Sequence, residues 1–115
     1  MRESVKNKWV AALKSGKYKQ GCCHLRGPTG YCCLGVLCEV FMDEGNRLDV
    51  RTTQSNVVEY NGHDAYPPKE VREWAGICHV SGRASSANYC VAAINDTSDS
   101  FTPSIEYIEQ HWKNM

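Results

Sequence analysis

The stretch CCLGVLCEVFMD, Cys32–Asp43, is the most apolar run of the chain, and its reading decides the fold. Leu34, Leu37, Cys38 and Phe41 fall at i, i+3, i+4 and i+7, which predicts a buried helix. Glu39, Asp43 and Glu44 supply an exposed side, and Gly45 a stop. A buried strand across Cys32–Val40 is the competing reading, because period alone does not separate short apolar runs.

Upstream, Gly27-Pro28-Thr29-Gly30 is a strong turn signal. Tyr18–Arg26 before it reads as a strand interrupted by Gly21. Glu3–Ser15 reads as an amphipathic helix, with Val5, Trp9, Ala12 and Leu13 on one face and Gly16 as the cap. Downstream, Leu48–Thr53 and Val57–Tyr60 read as short strands. Asn61-Gly62 is the best hairpin signal, with a returning strand ending at Tyr66. Pro67-Pro68 opens a short helix over Lys69–Trp74, stopped by Gly76. Ser81–Ala87 is a loop of small residues. Ala87–Ile94 reads as a short helix closed by Asn95-Asp96. Thr102 and Pro103 start a last helix with Ile105, Ile108 and Trp112 on one face. The expected architecture is α+β: one domain, residues 1–115, with a small antiparallel sheet packed against three to five helices.

Composition narrows the function classes. The chain has 115 residues, 42% hydrophobic and 23% charged, which is globular and not disordered composition. Basic and acidic residues number 13 each, so no net field draws the chain to DNA or an anionic membrane. No apolar run has the length of a signal peptide or a membrane span, and a cytoplasmic protein is expected. The 7 cysteines, an odd number, are then reduced thiols, several of them in the core, and not a disulfide framework.

Catalytic signatures are weak. Cys22-Cys23-His24 and Cys32-Cys33 flank the Gly27–Gly30 turn, but adjacent side chains on a strand point to opposite faces. That spacing does not suit a tetrahedral zinc site, which favours pairs separated by two to four residues. Cys32 at a helix start meets the dipole condition for an activated thiol, yet no histidine stands in a local signature with it. No phosphate loop or GxGxxG motif occurs. The expectation is a protein with no catalytic residues, no metal and no cofactor. The one constellation that looks like a ligand surface is polar and aromatic: Lys17, Tyr18, Lys19, Gln20, His24, Arg26 and Tyr31 around the first turn, with Arg83 in a separate loop. Arginine offers a donor fork to phosphate, and tyrosine a flat face to a base.

The run WVAALKSGKYKQG (Trp9–Gly21), then Leu25-Arg26, YCCLGVLC (Tyr31–Cys38), Pro67-Pro68 with Trp74, and AIND (Ala93–Asp96) with Phe101 resembles a family of small tailed-phage proteins over nearly the whole chain. Ile94 replaces the leucine usual in that pattern, and Cys22-Cys23-His24 lies where the family has glycine or polar residues. In size and phage character the chain is similar to the anti-CBASS sponges, which hold cyclic nucleotides used in bacterial immunity. That likeness implies a host-cytoplasmic homo-oligomer that binds a cyclic oligonucleotide without cleaving it, with no DNA or membrane partner. The candidate contacts are Tyr18, Lys19, Gln20, Arg26, Tyr31, Arg83, Asn95 and Asp96. Lysine and arginine would take phosphates, tyrosine would stack a base, and Asn95 or Asp96 would read a base edge or structure a turn. Two other classes compete. One is an inhibitor of a host protein, with Tyr60, Tyr66 and Trp74 as anchors; the other is a thiol or zinc enzyme.

Overall fold

The computed structural model describes residues 1–115. Helix α1 (Glu3–Lys14) is followed by strands β1 (Arg26–Gly27) and β2 (Gly30–Tyr31) and helix α2 (Cys33–Asp43). Strands β3 (Val50–Thr52) and β4 (Val58–Tyr60) come next, then helices α3 (Lys69–Ala75), α4 (Val91–Asp96) and α5 (Thr102–His111). A 3-10 turn, Trp112–Asn114, ends the chain's ordered elements. The fold is α+β, with an antiparallel four-stranded sheet in the order β2-β1-β4-β3.

The helix reading of the central stretch holds. Cys33, Leu34, Gly35, Val36, Leu37, Cys38, Val40 and Phe41 are all buried, so α2 is apolar almost all round and sits within the core. Trp9 of α1 is fully buried and donates its indole N–H to the Cys33 carbonyl at 2.8 Å. Each fully buried leucine or valine here contributes about 1.5–3 kcal/mol, taken as an upper bound. Gly35 is where α2 meets the chain before β1. A Cβ there would run into the Leu25 backbone carbonyl, so only glycine lets helix and loop approach this closely.

Three expectations are corrected. Tyr18–Arg26 is not a strand: only Arg26–Gly27 is extended in a ladder, with an isolated parallel bridge between Gln20 and Tyr31. Its backbone bonds go elsewhere. Gly21 N–H donates to Tyr31 O at 2.7 Å, Tyr31 N–H to Lys19 O at 2.8 Å, and Leu25 N–H to Asp64 O at 2.6 Å. Cys23, at φ 75°, turns the chain between them. Second, Asn61-Gly62 adopts the positive φ values of 51° and 81° but closes only a single bridge from Tyr60 to His63, with no returning strand to Tyr66. The sheet hairpin is β3–β4, joined across residues 53–57. Third, the fourth helix is displaced towards the C-terminus, so Asn95 and Asp96 lie inside α4 and not beyond it.

Candidate ligand-binding surface

Arg26 and Tyr31 are cross-strand partners in the β1–β2 hairpin, which sets their side chains on one face. The Arg26 guanidinium lies 4.9 Å from the centre of the Tyr31 ring. Tyr18, in the loop after α1, meets Tyr31 edge-on at 5.0 Å and 79°, and the Lys17 ammonium lies 5.4 Å from the Tyr18 ring. Both rings are half-buried, and burial pushes both phenols above their ordinary range. Glu39 on α2 opposes Arg26 here: it raises the Tyr31 phenol while Arg26 lowers it. The face therefore pairs two aromatic rings with two cations and keeps two carboxylates, Glu39 and Asp43, nearby. Lys19 is exposed in the same loop.

Gln20, Asn95 and Asp96 form a different arrangement beneath that loop. Gln20 donates its side-chain N–H to the Asn95 carbonyl at 2.9 Å and the Ser98 carbonyl at 3.0 Å. Asn95 is fully buried. Its Oδ1 accepts the Cys33 N–H at 3.1 Å, and its Nδ2 donates to Gly21 O at 2.9 Å and Asp96 Oδ1 at 3.4 Å. Asn95 thus caps the first turn of α2 from outside and pins the Gly21 loop to α4. With every side-chain atom committed and none exposed, it structures the site and does not meet a ligand from solvent. Asp96 is exposed and accepts the Cys23 N–H at 3.1 Å. Arg83 stands apart from the tyrosines. It donates Nε to Ala87 O at 3.3 Å and lines a depression of about 380 Å3 with Cys78, His79, Ser85 and Met115.

A smaller cleft of about 200 Å3 gathers Cys23, His24, Cys32, Tyr66, Cys90 and Asp96. Its thiol at the helix start is not activated. Cys32 is buried, and burial pushes its thiol up to about 11, outweighing the helix terminus. Burial likewise holds Cys33 and Cys38 well above the ordinary thiol range. His24 Nδ1 has no hydrogen-bond partner; Asp64 Oδ2 lies 3.9 Å away. No three His, Cys, Asp or Glu side chains converge in a metal-binding arrangement.

One aromatic cluster escaped the sequence reading. Tyr107 sits between Tyr89 at 5.7 Å and His111 at 4.7 Å, its hydroxyl donating to Tyr89 O and accepting from Ala84 N–H. Tyr107 and His111 share one face of α5 at i, i+4, a signal the sequence does carry.

Residues 1–111 match the family described as a domain of unknown function, DUF8296. The chain belongs to that family. No curated protein and no solved structure matches it. In this DUF8296 chain the matched residues include the Tyr18–Tyr31–Arg26 face, the Asn95 hub and the thiol-lined cleft. No helix of the domain is long and apolar enough to cross a membrane.

Proposed function

We propose that this DUF8296 chain is a phage protein that binds a cyclic oligonucleotide of host antiviral defence and withholds it without cleaving it. The Tyr18–Tyr31 pair flanked by Lys17 and Arg26 carries the reading. Half-buried rings offer faces to bases, and the two cations offer donors to the phosphates between them. None of the three cavities includes these tyrosines. An open face encloses a small ligand only when a second surface closes over it, so the reading includes a homo-oligomer with the ligand between copies.

Calorimetric titration with cyclic di- and trinucleotides tests it. One of them is expected to bind and to be recovered chemically intact. Arg26→Ala and Tyr31→Ala are each expected to weaken that binding by about ten-fold or more, with the fold unchanged. A folded protein that responds to none of these nucleotides sinks the proposal.

A protein-binding role is the second reading. Of its expected anchors, Tyr60 is fully buried with its hydroxyl on Glu39, and Trp74 is half-buried against Phe41. Tyr66 is exposed, as is Tyr89, which was not among them. A stoichiometric host protein retained by the wild type and lost in Tyr66→Ala would favour it.

A further inference from the structure

Cys22 and Cys23 form the one adjacent thiol pair that faces solvent. Both are exposed, and their sulfurs lie 2.7 Å apart. The backbone holds them there. Cys23 takes a left-handed φ of 75°, and its N–H is anchored on Asp96 Oδ1. Gly21 before them is tied to Asn95 through its carbonyl and to Tyr31 through its N–H. Cys32, Cys33 and Cys38 are buried, and Cys78 is exposed but lines the depression beside Arg83.

We propose that Cys22–Cys23 is a modification site, a vicinal dithiol that small-molecule disulfides close to a reversible intramolecular disulfide. The thiolate of one cysteine attacks the small disulfide, forming a mixed disulfide and expelling one small thiolate. The second cysteine, as thiolate, attacks the protein sulfur of that mixed bond and expels the other small thiolate. Two protein thiols become one disulfide, and one small disulfide becomes two thiols, so two electrons leave the protein. The second step is intramolecular between sulfurs already in contact, so it outruns release of the mixed adduct. The closed form opens readily. Adjacent Cα atoms are about 3.8 Å apart, short of the 4.4–6.8 Å that ordinary disulfides span, and a strained bridge is more reducible. The site is independent of the nucleotide reading.

Oxidised glutathione on the folded full chain is the probe. Trypsin releases residues 20–26, QGCCHLR, a peptide with no other cysteine. That peptide is expected to be two hydrogens lighter with no glutathione attached, while Cys78 carries glutathione as an internal reference. Dithiothreitol is expected to restore both thiols. Cys22→Ser is expected to stall with glutathione on Cys23. Should that variant misfold, the wild-type peptide still decides. The proposal is overturned by stable glutathione on wild-type Cys22 or Cys23, by a bond from either to Cys90 or Cys32, or by an unchanged peptide beside a modified Cys78.

Discussion

The same dipeptide occurs on either side of the first hairpin with opposite results. Cys22-Cys23 faces solvent in a loop that needs a left-handed residue. Cys32-Cys33 enters a helix, with exposures of 5% and 0% and both thiols held protonated by burial. Chain neighbours set the difference, not the cysteines. Gly27–Gly30 reverses direction, and the apolar run after Cys33 drives that pair inward while the polar run before Leu25 leaves the other outside. A cysteine is a small hydrophobe where the backbone carries it into the core and a solvent-accessible thiol where it does not.

Asn95 joins the two halves of this comparison, since it binds Gly21 beside one pair and Cys33 in the other. Asn95→Ala leaves a buried carbonyl and a buried helix N–H without partners. It is expected to cost about 2–4 kcal/mol in urea unfolding. It is also expected to raise alkylation of Cys33 at neutral pH as the first turn of α2 frays. A loss below about 1 kcal/mol would mean that the two cysteine regions are held independently.

The buried pair also makes stability fall at alkaline pH. Cys32 ionises at its ordinary 9.0 when unfolded but only near about 11 in the fold. Between those values the unfolded chain has released a proton that the folded chain keeps. The stabilisation is therefore complete below about pH 9 and lost as pH rises towards 11. Cys32 alone accounts for about 2–3 kcal/mol across that window, and Cys33 and Cys38 act in the same direction. Urea midpoints in reductant are expected to be level from pH 7 to about 8.5 and to drop above it. Cys32→Ala should make that drop shallower, with Cys33 and Cys38 supplying what remains. A midpoint that holds through pH 10.5 would show that the inner pair is more hydrated than its burial implies.

The helices on either side of these pairs were legible because each carries its own period. Val5, Trp9 and Leu13 mark α1, and Leu34, Leu37, Cys38 and Phe41 mark α2. The Tyr18–Arg26 segment was not legible, because its composition does not reveal where backbone groups find partners. Its bonds run to Tyr31, Asp64 and Asn95, and the Asn95–Cys33 bond spans 62 positions. The same limit applies to the candidate surface. Tyr18, Arg26 and Tyr31 flank one turn that the sequence leaves free to close a hairpin or to lead into the next element. The β1–β2 pairing sets Arg26 beside Tyr31, and the loop before it brings Tyr18 to the same ring. Composition offers Gln20 and Asn95 as ligand contacts, with Asn95 also able to structure a turn, and only the tertiary packing of α4 on the Gly21 loop shows both committed within the fold. Chemistry alone places Arg83 with Tyr18 and Tyr31, whereas in the fold it bonds Ala87 and lines a depression that neither tyrosine reaches.

The smallest expected effect isolates the backbone's share of the difference between the pairs. Cys23 holds φ 75°, a region that costs a residue with a Cβ about 1–2 kcal/mol and glycine almost nothing. Glycine gives back part of that gain through the greater freedom of the unfolded chain, so Cys23→Gly is expected to stabilise by about 0.5–1 kcal/mol. Cys33→Gly runs the other way. Cys33 is fully buried in the first turn of α2, so glycine there removes packed atoms and helix propensity together. Urea midpoints of the two variants should therefore move in opposite directions from the wild type. If both fall, the left-handed turn at Cys23 is supported by contacts of its own side chain, and the outer pair is more than a consequence of the loop it occupies.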